Sequence, residues 1–399
     1  MKILIVSQYY NPEQFLINDI APALVKKGHD VTILTGIPNY PQGKIYKGYR
    51  FGKRCETIDG VKVIRCFQFG RGRGKVGLML NFISFAIFGS IKSLCISRQF
   101  DCVFCYQLSP ITMALPAIVY KRRTHTQIFL YCLDIFPESI LSHISKDGVL
   151  YRMVSVISRK IYNYCDCIAV TSKPFMEYLM KENLVVEKKI VYIPQHADAD
   201  MLLYDFASEE DGIADFLFAG NVGYAQNMET VVAAVDFLKL RKDFKVHIVG
   251  DGSRLSYLKD LISQKHLESF FVFYGKHSKE KMPAFYQKAD ALLLTLRGDN
   301  QVGNTMPGKL QTYMTVGKPI IGAINGAAKE VIKESGAGIC VDSGDASGLA
   351  KCMQMYICNP KAFENCGKNA RNYYINHFTL DIYLENIIKE LKQISKKKN

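Results

Sequence analysis

Short apolar, β-branched runs alternate with amphipathic stretches along the whole chain. In the first half, runs at 3–7, 31–35, 61–66, 102–106, 127–131, 167–171 and 190–193 predict strands, and stretches such as 17–27, 150–162 and 174–182 carry apolar residues at helical spacing. Strands that are apolar on both faces, with helices between them, imply a parallel sheet covered on both sides. Beyond Pro194, residues 195–212 turn acidic and lose periodicity, which predicts a linker. A second alternation follows, with strands at 216–219, 245–249, 271–274, 291–295, 319–323 and 338–341 and helices at 229–240, 254–265, 280–287, 309–316 and 346–357. Two more helical stretches, 361–376 and 380–394, close the chain. The pattern predicts an α/β protein of two doubly wound, Rossmann-like domains, 1–194 and 195–376, with the segment 377–399 packing back on the first. Such domains are expected to face a cleft at the carboxyl ends of their strands, where ligands of this fold class bind.

One stretch departs from this rhythm. Residues 76–91 carry no charge, and 76–97 reads as a helix whose broad apolar face holds Leu78, Met79, Phe82, Phe85, Ile87 and Phe88. Asn81, Ser84 and Lys92 form a narrow polar stripe along it. Three readings stand open: a buried core helix, a helix lying in a membrane interface, and a spanning helix, for which Gly89, Ser90 and Lys92 cut the apolar length short. Between Lys44 and Lys75 the chain holds ten Lys and Arg against Glu56 and Asp59, and such clusters are drawn to anionic headgroups.

Composition narrows the class. With 399 residues, 48% hydrophobic and 22% charged, the chain is neither disordered, collagen-like nor a polytopic membrane protein. Its net charge of +14 is lopsided: residues 1–194 hold 26 Lys and Arg against 13 Asp and Glu, and the second half is near balance. A basic first domain points to a polyanionic surface, phospholipid or nucleic acid. Of 12 cysteines, Cys102 and Cys105 make a C-x-x-C, but no second pair completes a tetrahedral site, and positions three apart on a strand face opposite ways. No metal site is expected, and the thiols read as reduced core residues of a cytosolic protein. The opening apolar run, 3–6, is too short for a signal peptide, so export is not expected.

Candidate chemistry lies after the strands. Gly220-Asn221-Val222-Gly223-Tyr224-Ala225-Gln226-Asn227 and Gly250-Asp251-Gly252 let backbone N–H groups approach an anion, although strand-to-helix turns also want glycine for steric reasons. Pro307-Gly308-Lys309 opens a helix, so a cation and the helix dipole point at the same place. In the first domain Asp134 follows the fifth strand, where it can cap a turn or face the cleft. Glu138, after Pro137, suits either a helix start or catalysis. Pro12, Glu13, Asn18, Asn39 and Tyr40 border the same edge. Asp198-Ala199-Asp200 copies a metal-binding triplet but falls in the predicted linker, where it reads as coincidence.

The order of these motifs resembles the GT-B nucleotide-sugar glycosyltransferases, particularly retaining glycosyltransferase family 4, over nearly the whole chain. Gly28-His29-Asp30-Val31-Thr32, Pro12-Glu13, Pro38-Asn39-Tyr40-Pro41 and Asp134-Ile135-Phe136-Pro137-Glu138 look like the branch of bacterial O-antigen and capsule enzymes that includes the fucosamine transferases. The resemblance implies a UDP-sugar donor held by the second domain through Gly220, Asn221, Gly223, Gln226, Gly250, Asp251, Lys276, Asn304, Gly308, Lys309 and Thr312. It implies catalytic roles for Asp134, Glu138 and Lys309, an acceptor on the side of Pro12, Glu13, Asn18, Asn39 and Tyr40, and retention without an obligatory metal or cofactor. The acceptor is expected to be a polyprenyl-diphosphate-linked saccharide, with the protein peripheral on the inner face of the cytoplasmic membrane and no nucleic acid involved. The sequence departs from the broader family at Asn221 and Gln226, where Arg and Lys are common, at Asn304 and Thr312, where paired glutamates stand, and at Leu16, where Arg is frequent. A nucleotide-sugar epimerase of the same architecture and a non-enzymatic membrane- or nucleic-acid-binding scaffold are the rival readings.

Overall fold

The computed structural model describes residues 1–50, 52, 54–72, 74–140, 148–207, 211–298 and 306–396, in two compact units: Met1–Pro194 with Tyr383–Asn399, and Gln195–Ile382. The first unit runs β1 (Lys2–Val6), α1 (Ile17–Lys26), β2 (Asp30–Gly36), β3 (Cys55–Ile58), β4 (Val61–Cys66), α2 (Lys75–Cys95), β5 (Cys102–Gln107), α3 (Leu115–Thr124), β6 (Ile128–Cys132), α4 (Val149–Tyr164), β7 (Cys167–Val170), α5 (Lys173–Lys181) and β8 (Ile190–Tyr192). Its sheet has the order β3-β4-β2-β1-β5-β6-β7-β8, parallel except for the antiparallel edge pair β3–β4. Register aligns Ile5 with Ile33 on one side and Phe104 on the other. Residues of β5, β6 and β7 are buried along their whole length, as strands with helices on both faces must be.

Strand residues Leu4, Val6, Val103, Cys105, Leu130 and Cys132 form one core with buried side chains of α2, α3, α4 and α5. Their alternates Ile5, Phe104 and Tyr131 point to the other face. There Tyr131 meets Tyr383 edge-on, with centroids 5.3 Å apart.

The second unit runs β9 (Ala214–Ala219), α6 (Met228–Phe237), β10 (Phe244–Val249), α7 (Leu255–Gln264), β11 (Phe271–Gly275), α8 (Met282–Lys288), β12 (Ala291–Thr295), α9 (Gly308–Val316), β13 (Ile320–Ala323), α10 (Gly326–Ser335), β14 (Gly338–Val341), α11 (Ala346–Cys358) and α12 (Cys366–His377), and α13 (Leu380–Lys396) begins there. Its six strands, β11-β10-β9-β12-β13-β14, are all parallel, with a core on each face.

Several expectations need correction. The supposed linker belongs to the second unit, because Met201 and Phe206 are buried in its core beside Tyr286 and Met314. That unit extends to Ile382 rather than 376, since Tyr374 and Phe378 fill the same core. Three elements escaped periodicity: β3, a four-residue edge; α3, which lacks a clear apolar stripe; and α10, rich in alanine and opened by Gly326. Helix α2, for which three readings stand open, turns polar residues inward: Asn81 and Ser84 are 0% and 4% exposed, whereas Ile87 is 51% exposed. All twelve cysteines are free thiols.

Because α13 contributes Ile387, fully buried, to the first unit, Ile387→Ala should cost about 2–5 kcal/mol. Urea unfolding should show this as an earlier transition with secondary structure in buffer unchanged.

Candidate active site

The loops that leave the carboxyl edge of the second sheet are locked together by backbone contact. Gly220 N–H donates to Val249 O (2.8 Å), Gly250 N–H to Gly275 O (2.8 Å) and Val222 N–H to Asp251 O (2.9 Å). Gly220 and Gly250 have φ of +136° and +146°, and a Cβ on Gly250 would lie 1.8 Å from Gly220 O. Only glycine satisfies both demands at that position.

Lys309, in the first turn of α9, runs beneath this junction. A Cβ on Gly220 would come within 2.9 Å of its Cε. Its Nζ lies 3.4 Å from the centre of the Phe218 ring and has no hydrogen-bond partner among the described residues. Desolvation pushes its pKa down from the ordinary 10.5 to about 7. Among the described residues no side chain caps this helix start, where Leu310 N–H donates to Pro307 O at 2.9 Å.

The other donor-side candidates surround this point in different ways. Gln226 Oε1 accepts from Gly223 N–H (3.1 Å) and Asn221 Nδ2 (3.3 Å), so the two residues that replace the expected cations close the turn on each other. Asp251 is exposed and accepts from Gly252 N–H (2.7 Å), and Thr312 Oγ1 donates back to Gly308 O (3.3 Å). Lys276 is exposed just beyond β11, and Asn304 lies outside the described residues. Arg254 and Arg297 were not foreseen. Both reach Glu229, at 2.6 and 3.5 Å, and the Arg297 guanidinium lies 3.9 Å from the Tyr224 ring centre. They put two cations beside a loop that has none of its own. The available signal was an Arg close to a Gly in a loop that follows a strand, in Gly252-Ser253-Arg254 and Arg297-Gly298.

In the first unit, the acceptor-side candidates converge after β1 and β2. Glu13 is 1% exposed, and its Oε1 accepts from the backbone N–H of both Asn39 and Tyr40, each at 2.7 Å. Its Oε2 has no partner among the described residues. Burial pushes the carboxyl up to about 7 against the pull of those N–H groups. Asn18 Nδ2 ties Asn11 Oδ1 (3.1 Å) and Glu13 O (2.7 Å), so the segment around Pro12 is held from both ends. Asn39 Oδ1 accepts from Arg71 N–H (3.0 Å) and Asn81 Nδ2 (3.2 Å). Tyr40 packs on Phe15, 5.2 Å between centroids. Gln8 and Asn81 complete this network; Asn81 stood out along the chain only as part of a polar stripe and Gln8 not at all, because their partners are far apart in sequence.

Asp134 and Glu138 lie farther along the same edge, after β6. Burial raises the Asp134 carboxyl, opposed by hydroxyls of Ser139 and Ser109. Glu138 Oε1 accepts from Tyr151 (2.8 Å) and Tyr178 (2.7 Å), which binds it to α4 and α5. Asp198 and Asp200 pair with Lys279, and among the described residues no group of three or more His, Cys, Asp or Glu is placed to hold a metal.

A parallel sheet whose glycine loops surround a helix start and a buried lysine is an arrangement suited to an anionic, nucleotide-like ligand. Residues 205–373 match the family model described as Glycosyl transferases group 1, so the chain carries a domain of that kind. It is similar to the putative colanic acid biosynthesis glycosyl transferase WcaI of Escherichia coli, 24% identical over 90% of this chain and 93% of that one. It is also similar to the probable glycosyltransferase WbjE of Pseudomonas aeruginosa, 26% identical over 72% of this chain and 74% of that one. Among solved structures, Anabaena HepE in complex with UDP aligns over 98% of this chain and 100% of that one, at a TM-score of 0.70 and 13% identity. The architecture is the GT-B fold.

Two stability profiles check these environments. Between pH 4.5 and 7 the folded protein binds more protons at Glu13 than the unfolded chain, so this group's contribution is present at low pH and lost as pH rises through about 7. Glu13→Gln keeps an oxygen for both N–H groups, and should remove that slope and gain up to about 3 kcal/mol over wild type at pH 8. For Lys309 the sign is opposite: the unfolded chain binds more protons from about 7 to 10.5, so stability rises with pH across that window. Lys309→Met should flatten it and stabilise the free protein at pH 7 by about 1–3 kcal/mol. Urea midpoints across pH measure both.

Proposed function

We propose that this chain is a glycosyltransferase that moves a sugar from a nucleotide donor, a UDP-sugar, to a lipid-linked saccharide in bacterial surface-polysaccharide assembly, with retention of configuration. The observation that carries this reading is Lys309: a buried ammonium with no hydrogen-bond partner among the described residues, beneath glycine loops and at a helix start. A protein bears the cost of such a group where an anion comes to meet it. The names of WcaI and WbjE and the UDP held by HepE support the class of donor and product.

In this reading the second unit binds the donor. Lys309 and the loop N–H groups stabilise charge on the leaving diphosphate, with Arg254 and Arg297 adding long-range attraction, and no metal is obligatory. The transition state is oxocarbenium-like, so stabilising the departing phosphate is the main catalytic demand. The first unit binds the acceptor. Asp134, made more basic by its burial, orients the acceptor hydroxyl and takes its proton, and Glu138 positions that segment through its two tyrosines.

Thermal shift with UDP and a transfer assay test these roles. UDP should raise the Tm of wild type and of Asp134→Asn but not of Lys309→Met, and Asp134→Asn should lose about 10²–10⁴-fold in transfer. Calorimetry at pH 8 in buffers of different ionisation enthalpy should show UDP binding taking up nearly one proton in wild type and none in Lys309→Met. UDP that leaves the wild-type Tm unchanged, or an equal shift in Lys309→Met, overturns the donor site.

A further inference from the structure

Helix α2 is built inside out. Met79, Ile83, Ile87, Ile91 and Leu94 run along one side and are 46–55% exposed. The side it buries sets the polar Asn81, Ser84 and Ser93 beside Phe85 and Ala86. Asn81 Oδ1 accepts from Gln8 Nε2 (2.9 Å) and from the Tyr9 hydroxyl (3.1 Å), while its Nδ2 donates to Phe69 O (2.5 Å) and Asn39 Oδ1 (3.2 Å). Ser84 Oγ accepts from Phe69 N–H at 3.0 Å. Gly89 admits Pro116 of α3 so closely that a Cβ there would lie 2.8 Å from its Cγ. Rolling the helix to hide its apolar side would strip these buried groups of their partners, each at the full desolvation penalty. The exposed stripe is therefore locked outward.

It is not alone. On α4, Leu150, Met153, Val156 and Ile157 are exposed in the same manner. Both helices share a core with α3 on one face of the sheet, and α3 packs against each of them. Together α2, α3 and α4 carry eight Lys and Arg and no Asp or Glu, one of them, Lys121, being paired with Asp166.

We propose that the outer face of α2 and α4, with the basic residues of α2, α3 and α4, is a docking surface for an anionic lipid bilayer, the helices lying in the headgroup region. Apolar stripes enter the acyl boundary and the cations meet lipid phosphates, so one partner satisfies both features. A second copy of the chain fits worse, because a two-fold contact through this face sets cations against cations. By length and composition α2 is apolar enough to cross a membrane, with a mean hydropathy of 1.6. A crossing would leave Asn81 and Ser84 without their partners in hydrocarbon, whereas lying flat keeps every bond described above. The surface stands independently of the donor site. Its meaning for the acceptor rests on the reading above: Asn81 joins the docking helix to Asn39, so a lipid-borne acceptor would arrive beside the acceptor-side cluster.

Co-sedimentation of the full chain with vesicles decides it. Wild type should pellet with phosphatidylcholine vesicles containing phosphatidylglycerol, much less with phosphatidylcholine alone, and progressively less as salt rises. Ile83→Asp/Ile87→Asp and, separately, Met153→Asp/Val156→Asp should each weaken anionic-vesicle binding at least tenfold while keeping the wild-type Tm and UDP shift. Lys309→Met should still bind vesicles, which separates failure here from failure of the donor site. Wild type absent from both pellets overturns the proposal, as does undiminished binding by both double variants. A dimer in sedimentation velocity that Ile83→Asp/Ile87→Asp dissolves, without vesicle binding, assigns the face to a second copy and also overturns it.

Discussion

A single buried ammonium organises the second unit. Lys309 Nζ can lie over Phe218 only because Gly220 has no side chain, and Gly220 is held there by the backbone of Val249 and the close approach of Gly250. Widen any of these contacts by one carbon and the lysine must move. The cation has the Phe218 ring beside it but no hydrogen-bond partner among the described residues, so much of its cost falls on the rest of the unit, where two cores flank an all-parallel sheet. In the proposed reading, stability is spent at the carboxyl edge to meet the charge of a ligand with a donor that need not reorganise during reaction.

The first unit shows the same economy with the opposite charge. Glu13 is buried with one oxygen bound to two backbone N–H groups and the other without a partner among the described residues. Its carboxyl is what holds Asn39 and Tyr40 in place, and Asn39 in turn connects to α2 through Asn81. A helix with an apolar exterior and the loop that carries Asn39 and Tyr40 are thus parts of one hydrogen-bonded assembly. Glu138 works similarly at Tyr151 and Tyr178, fixing the segment that carries Asp134.

Much of this was legible along the chain, and the physical reason is periodicity. Buried parallel strands must be apolar on both faces, so β1, β5, β6, β12 and most others announced themselves, and the strand-to-helix glycines marked the carboxyl edge of the second sheet. Elements without a period went unseen: the short edge strand β3, the evenly buried α3 and the small-residue helix α10. The acidic stretch after Pro194 looked like a linker because Met201 and Phe206 are too sparse to form a pattern, yet two side chains suffice to anchor it in a core.

Local order therefore determined the fold class, the two alternating halves, the glycine loops and the lysine at the start of α9, because each depends on neighbours within a few residues. Tertiary structure alone decided which way α2 faces, what Glu13 holds, and that Arg254 and Arg297 flank the loop whose own positions are Asn221 and Gln226. Amphipathic patterning says that a helix has two sides but not which is inward. That choice belongs to partners such as Gln8, Tyr9 and Asn39, more than forty positions from Asn81, whose hydrogen bonds exist only once the chain has folded.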